Sequence, residues 1–215
     1  MVCSSLNKSA LLVFFLFILG CVVLSGCATL GKDECLSADW RTIGYEDGAY
    51  GFPASRIGNH REACAKHGIT PDFDLYEQGR IQGLSEYCTP RKGYGLGAAG
   101  KQYQNICPAN LEPAFLEGYS QGRIFHKAQI EVKGHRSELK KLYADLDAVK
   151  QKLDDFEIEL VRDESIGPRR RGYLLEEIKT LSDRQRTLEA DISEKKALLE
   201  ISEFNLQKIK AQKPY

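Results

Sequence analysis

Cysteine and histidine are the residues of this chain with the clearest chemical options, and their spacing separates those options. Seven cysteines occur, at positions 3, 21, 27, 35, 64, 88 and 107. Cys27 closes the string Leu24-Ser25-Gly26-Cys27, which follows the uncharged apolar run Leu11–Leu24 and the single basic residue Lys8. Small residues ahead of a cysteine let an extended backbone enter a peptidase groove, and the thiol can then take a diacylglycerol. The string matches the bacterial lipobox at every position. A fourteen-residue apolar run suits a secretory leader and is short of the roughly 20 residues that cross a bilayer. The expectation is cleavage after residue 26 and an acylated Cys27, the alternative being an uncleaved signal anchor. Ala28, which is not Asp, resembles the outer-membrane sorting choice of enterobacterium-like cells and implies a periplasm-facing outer-membrane protein of a Gram-negative cell.

Cys3 and Cys21 would leave with the leader, so four cysteines remain: Cys35, Cys64, Cys88 and Cys107. An even number in an exported segment of this size reads as two disulfides. A four-cysteine zinc site is the rival, but gaps of 28, 23 and 18 residues lack the close Cys-x-x-Cys pairs that such sites use. Three connectivities exist, and Cys35–Cys64 with Cys88–Cys107 is the one chosen. That choice implies a crossed packing of the helices read as ending at Cys88 and Cys107. The histidines are His60, His67, His126 and His135. His60 and His67 share helical spacing, but a metal needs three or four convergent ligands, so exposed helix histidines are expected and no metal site is assigned. Gly93-Tyr94-Gly95-Leu96-Gly97 lacks the Lys-Ser or Lys-Thr ending of a phosphate loop. No catalytic residue and no cofactor is assigned, and the chain is read as a non-enzyme.

Thirty basic and thirty acidic residues cancel, which removes the concentrated positive surface that nucleic-acid binding needs. Composition divides the chain into a leader (1–26), a lipid-anchored linker (27–34), a Gly/Tyr/Cys-rich helical domain (35–126) and a cysteine-free charged segment (127–212). In the third of these a motif recurs. Gly44-Tyr45-Glu46-Asp47-Gly48 is echoed by Leu75-Tyr76-Glu77-Gln78-Gly79, by Gly93-Tyr94-Gly95-Leu96-Gly97 and by Gly118-Tyr119-Ser120-Gln121-Gly122. The copies start 31, 18 and 25 residues apart, so they form no fixed-period solenoid and read as a recurring packing device. Glycines four apart share a helix face and let another backbone approach, at roughly 0.5–1 kcal/mol each relative to Ala. Helices are expected near 37–50, 57–67, 74–88, 97–106 and from about 111. Gly93-Tyr94-Gly95 is read as a turn and Asp72 or Asp74 as a cap.

Trp40-Arg41-Thr42-Ile43-Gly44-Tyr45-Glu46-Asp47-Gly48, Gly68-Ile69-Thr70-Pro71-Asp72 and Tyr76-x-x-Gly79-Arg80-x-x-Gly83-Leu84-x-x-Tyr87-Cys88 together resemble a family of Gram-negative lipoproteins, domain of unknown function 2799. The resemblance covers roughly residues 27 to 125 and implies an envelope protein without implying an activity.

Beyond it, Val132, Leu139, Leu142, Leu146, Val149, Leu153, Phe156 and Leu160 fall at coiled-coil steps, with His135 at the missing position. Leu174, Ile178, Leu181, Gln185, Leu188, Ile192, Lys195, Leu199, Ser202, Leu206 and Ile209 resume the pattern. Folding the chain near residue 167 sets Leu160 on Leu174, Phe156 on Ile178, Leu153 on Leu181 and Leu146 on Leu188, which predicts an antiparallel coiled-coil hairpin with its turn near 163–171. Its reach is roughly 40–50 Å at 1.5 Å per residue. The fold class is therefore all-α: a small disulfide-bonded domain of short Gly-rich helices, then the hairpin.

Arg162, Arg169, Arg170 and Arg171 crowd the turn, where positive charge at a helix start opposes the helix dipole. They are candidate contacts for an acidic partner or phosphate, weighed against a solvated tip neutralised by Asp163 and Glu164. Two functional readings follow. One is a non-catalytic envelope scaffold or adaptor, held in the membrane through Cys27 and meeting an envelope protein or peptidoglycan through the coiled coil. The other is a glycan or small-ligand module that uses Trp40, Tyr45, Tyr76 and Tyr119 as platforms. Burial of those rings would remove the second.

Overall fold

Seven helices follow one another in the computed structural model, which describes residues 31–212. They are α1 (Lys32–Leu36), α2 (Trp40–Tyr50), α3 (Arg56–Ala65), α4 (Phe73–Tyr87), α5 (Pro90–Ala98), α6 (Glu112–Arg162) and α7 (Pro168–Ala211). No strand occurs among the described residues. No helix among them is long and apolar enough to cross a membrane. The leader, Cys3, Cys21, Cys27 and residues 28–30 of the linker lie outside the described residues.

Local chemistry sets the helix ends. Asp39 accepts from the amides of Arg41 and Thr42, Asp72 from Leu75, and Thr89 from Lys92, so each satisfies a donor that the first helical turn leaves free. Hydrogen bonds from the Thr42 hydroxyl and amide hold the Asp39 carboxyl below its usual range. Pro90 and Pro168 open α5 and α7, where the missing N–H costs nothing. Gly51 closes α2 in the left-handed region at φ 77°, which a side chain would strain.

The chain divides into two compact units. The first runs to Cys88 and includes Gln104–Glu112; the second comprises Thr89–Tyr103 and everything from Pro113 onward. The compositional boundary at 126/127 is thus no break in the backbone, because it falls inside α6.

In the first unit α2 and α4 cross at glycines. A Cβ built on Gly44 would stand 2.0 Å from the Tyr76 carbonyl oxygen, and one on Gly48 would stand 2.2 Å from that of Arg80. In the opposite direction Gly79 meets the Arg41 carbonyl at 1.9 Å and Gly83 that of Tyr45 at 2.0 Å. Only hydrogen fits there. Cys35, Trp40, Cys64 and Tyr76 form the core beneath the crossing, with Ala38, Ile43, Ile57 and Ile69 packed against it.

The second unit repeats the device in the same register. Gly93 and Gly97 of α5 face the carbonyls of Phe115 and Tyr119, while Gly118 and Gly122 of α6 face those of Pro90 and Tyr94. In both crossings each glycine meets the carbonyl three residues before a glycine of the opposite helix. The agreement extends to the helix ends: Gly51 lies under the ring of Tyr87, and Gly100, also left-handed, under the ring of His126. The four motif copies are therefore two pairs. Their sequence intervals looked irregular because α3 and its loops are inserted within the first pair.

Tertiary packing also overturns two local readings. Gly93-Tyr94-Gly95 is helical within α5 because the backbone of α6 occupies the space that side chains at 93 and 97 would take. The helix expected over 97–106 is absent: Gly100 ends α5, and residues 101–107 run without helix through Asn105 at φ 56°. Its helical-looking spacing is used differently, since Tyr103 packs against Phe115 and Tyr119 with ring centroids 4.8 and 6.1 Å away.

Both chosen disulfides are formed, Cys35–Cys64 and Cys88–Cys107. All four sulfurs belong to buried residues. The crossed packing that seemed necessary for the second bridge is not, because Cys107 sits in a non-helical segment and reaches Cys88 just past the end of α4. Closing loops with sequence separations of 29 and 19 restricts the unfolded chain, worth roughly 3–4 kcal/mol per bridge on the chain-entropy account.

The remainder of α6 and all of α7 form the antiparallel hairpin. Leu139, Leu146, Leu188 and Ile192 make its buried seam, with Leu142, Val149 and Leu199 alongside. Val132, Leu153 and Leu174 are buried too. Ion pairs report the register: Arg136 with Glu203 at 2.6 Å, Glu138 with Lys195 at 2.5 Å, and Arg170 with Glu159 at 2.6 Å. Lys195, an apparent flaw in the seam, is thus half-buried and turned toward a carboxylate. The 44 residues of α7 span about 66 Å at 1.5 Å each, longer than the roughly 40–50 Å reach expected for the arm.

Candidate functional site

The strongest polar constellation lies where three helices of the first unit converge. Asp47, on the glycine face of α2 between Gly44 and Gly48, is only 6% exposed. Its Oδ2 accepts from the Tyr76 hydroxyl at 2.8 Å and lies 2.8 Å from Nε2 of His60, which is 4% exposed. Arg56 Nε approaches Oδ1 at 3.9 Å. Buried Arg80 reaches the Phe52 carbonyl at 3.4 Å and Glu77 at 3.5 Å. Desolvation, reinforced by the hydrogen bond to Asp47, pushes the Tyr76 phenol well above its ordinary range, so Tyr76 stays a donor.

A carboxylate that orients a histidine also occurs in nucleophilic catalysis, where the other ring nitrogen activates a hydroxyl or thiol. Here His60 Nδ1 is buried and has no hydrogen-bond partner. The arrangement ties α2, α3 and α4 together through one carboxylate. Sequence reasoning took His60 for an exposed helix histidine and passed over Asp47 and Arg80. The signal was available: Asp47 stands three residues after Gly44 and one before Gly48, which places it on the buried face. His67 is exposed as expected, and His126 and His135 are half-buried. No cluster of three or more metal-ligating side chains occurs among the described residues.

The aromatic residues divide by burial. Trp40 and Tyr76 are in the core, and Tyr119 is half-buried with its hydroxyl donating to the Lys101 carbonyl at 3.0 Å. Only Tyr45 of the four is exposed. Trp40 and Tyr76 fill a helix crossing and cannot stack on a sugar, whereas Tyr45 and part of Tyr119 stay accessible.

The hairpin tip is resolved into parts. Arg170 makes two short bonds to Glu159 and lies 5.3 Å above the Tyr173 ring, which keeps it along the hairpin flank. This bond holds the Glu159 carboxyl below its usual range. Asp163 accepts from the amide and hydroxyl of Ser165 and so shapes the turn. Arg162, Arg169 and Arg171 are exposed, and none of them is in an ion pair among the described residues. Val161, Tyr173 and Leu175 are exposed beside them. Arginine with aromatic and aliphatic side chains is the composition that protein contact surfaces favour.

These features define an all-α, disulfide-bonded protein in which glycine-crossed helix pairs lead into a long antiparallel hairpin. Residues 39–124 match the family described as "Protein of unknown function (DUF2799)". The match takes in both glycine crossings, the Asp47–His60–Tyr76 network and three of the four bridging cysteines. No curated protein and no solved structure matches the chain.

Proposed function

We propose that this chain is a lipoprotein anchored through Cys27 in the outer membrane of a Gram-negative cell, where it faces the periplasm and acts as a non-catalytic scaffold or adaptor. The observation that carries the reading is the hairpin tip, where three unpaired arginines and three exposed apolar side chains project from a rigid two-helix support. The Leu24-Ser25-Gly26-Cys27 string and the two disulfides support the anchor and the oxidising compartment. The partner that fits is an acidic envelope protein or the carboxylates of peptidoglycan, and it meets the hairpin.

Crosslinking in intact cells tests the scaffold role. The variant Arg162→Glu/Arg169→Glu/Arg171→Glu leaves the Arg170–Glu159 pair in place and should lose at least nine-tenths of the crosslinked partner. An unchanged partner set would remove the tip from the reading. For the anchor, mass spectrometry of the mature N-terminus should find acyl chains on Cys27, and Cys27→Ser should release the protein from the membrane fraction. An intact leader in the mature protein would overturn this.

A further inference from the structure

We infer that α7 pairs with α7 of a second copy of this chain, antiparallel and centred on Ile201. The heptad seam uses Leu188, Ile192, Leu199 and Ser202 to meet α6, yet the same stretch carries a second apolar strip. Leu198, Ile201 and Phe204 are 37%, 58% and 67% exposed. Their spacing of three puts them on one outer flank of the helix. On the same flank α6 presents Gly134, at the level of Ile201 set by the Arg136–Glu203 and Glu138–Lys195 pairs. Gly134 lies inside a helix with nothing within 4 Å of where a Cβ would stand. Gly58, Gly95 and Gly172 stand equally open within helices, and what sets Gly134 apart is its level beside the exposed strip. It leaves room beside Ile201 for a helix from another molecule.

The strip is complementary to itself when reversed. Glu194 and Lys208 stand seven residues before and after Ile201, on the same heptad position. Both are exposed, and neither is in an ion pair among the described residues. A twofold axis through Ile201 sets Glu194 against Lys208 of the second copy, and the symmetry forms that pair twice. The same axis lays Phe204 over exposed Leu198 of the other copy, apolar on apolar, and again forms the contact twice. Such an interface is isologous and closed, so it yields dimers and no fibres. A strip from Glu194 to Lys208 is about 21 Å long. At the roughly 10 Å width of a helix it offers on the order of 200 Å² per partner, well below the roughly 800 Å² of a standard interface, so the dimer is weak, with a dissociation constant in the micromolar range.

Full-length protein in detergent tests this. Sedimentation should show a monomer–dimer equilibrium that Ile201→Glu abolishes while helical content and both disulfides persist. Glu194→Lys should weaken the dimer about tenfold, and Glu194→Lys/Lys208→Glu should restore it, since only the reversed pairing predicts rescue. Ile201→Cys should give a disulfide-linked dimer under mild oxidation. Leu175→Cys, at an equally exposed position on the same helix, should give no more than the wild-type chain. A wild-type monomer throughout the micromolar range would overturn the proposal, as would a charge reversal without rescue. So would a monomer whose Ile201→Glu variant instead loses binding to anionic lipid vesicles, which would assign the strip to a membrane.

Discussion

Gly79→Ala should cost the first unit on the order of 3–5 kcal/mol and leave little folded protein at 37 °C. The added methyl would stand 1.9 Å from the Arg41 carbonyl oxygen and 2.9 Å from the Tyr45 amide nitrogen, both backbone atoms. No rotamer change relieves a backbone contact, so α2 and α4 must separate by an ångström or more along the crossing. That separation opens the core around Tyr76 and Cys64 and adds a packing loss to the steric one. The intrinsic gain of Ala over Gly in a helix, about 1 kcal/mol, is too small to compensate. Gly95→Ala is the control, because the space there is open, and it should raise stability by up to about 1 kcal/mol. Thermal unfolding followed by circular dichroism distinguishes the two, and equal effects would remove the close-crossing account.

Asp47→Ala should destabilise by about 3–5 kcal/mol, the cost typical of removing one member of a buried charged network. The Tyr76 hydroxyl and His60 Nε2 would each lose a bond of 2.8 Å inside a site closed to solvent, and Arg56 would lose its nearest carboxylate. Asp47→Asn keeps an oxygen able to accept from Tyr76 and should recover about half of the loss. His60→Ala and Tyr76→Phe should each cost less than Asp47→Ala, because each removes one spoke and leaves the hub. Denaturant unfolding of the four variants checks the order. Near-equal losses for all of them would show that the three side chains act only by filling volume.

Some of this protein was legible in its residues. Coiled-coil patterning is local and repetitive, so Val132 to Leu160 and Leu174 to Ile209 disclose both hairpin helices, and Leu146 and Leu188 share the seam as their spacing requires. Capping is also local, and Asp72 performs as its position suggested. The disulfide pairing rested on a choice among three, and its geometric objection dissolved once Cys107 proved to lie outside any helix.

What tertiary structure alone decided is concentrated at the glycines. A glycine in sequence marks a turn, a cap or a close contact equally well, because its missing side chain has no preference of its own. Gly93 and Gly95 looked alike; one meets the Phe115 carbonyl and the other open space, which follows only from where α6 runs. The same holds for His60, whose partner lies thirteen residues back on another helix. Periodic apolar contacts along one helix pair are written into the chain's own repeat. Contacts made by backbone atoms, or by one buried carboxylate shared among three helices, depend on a meeting that no local pattern records.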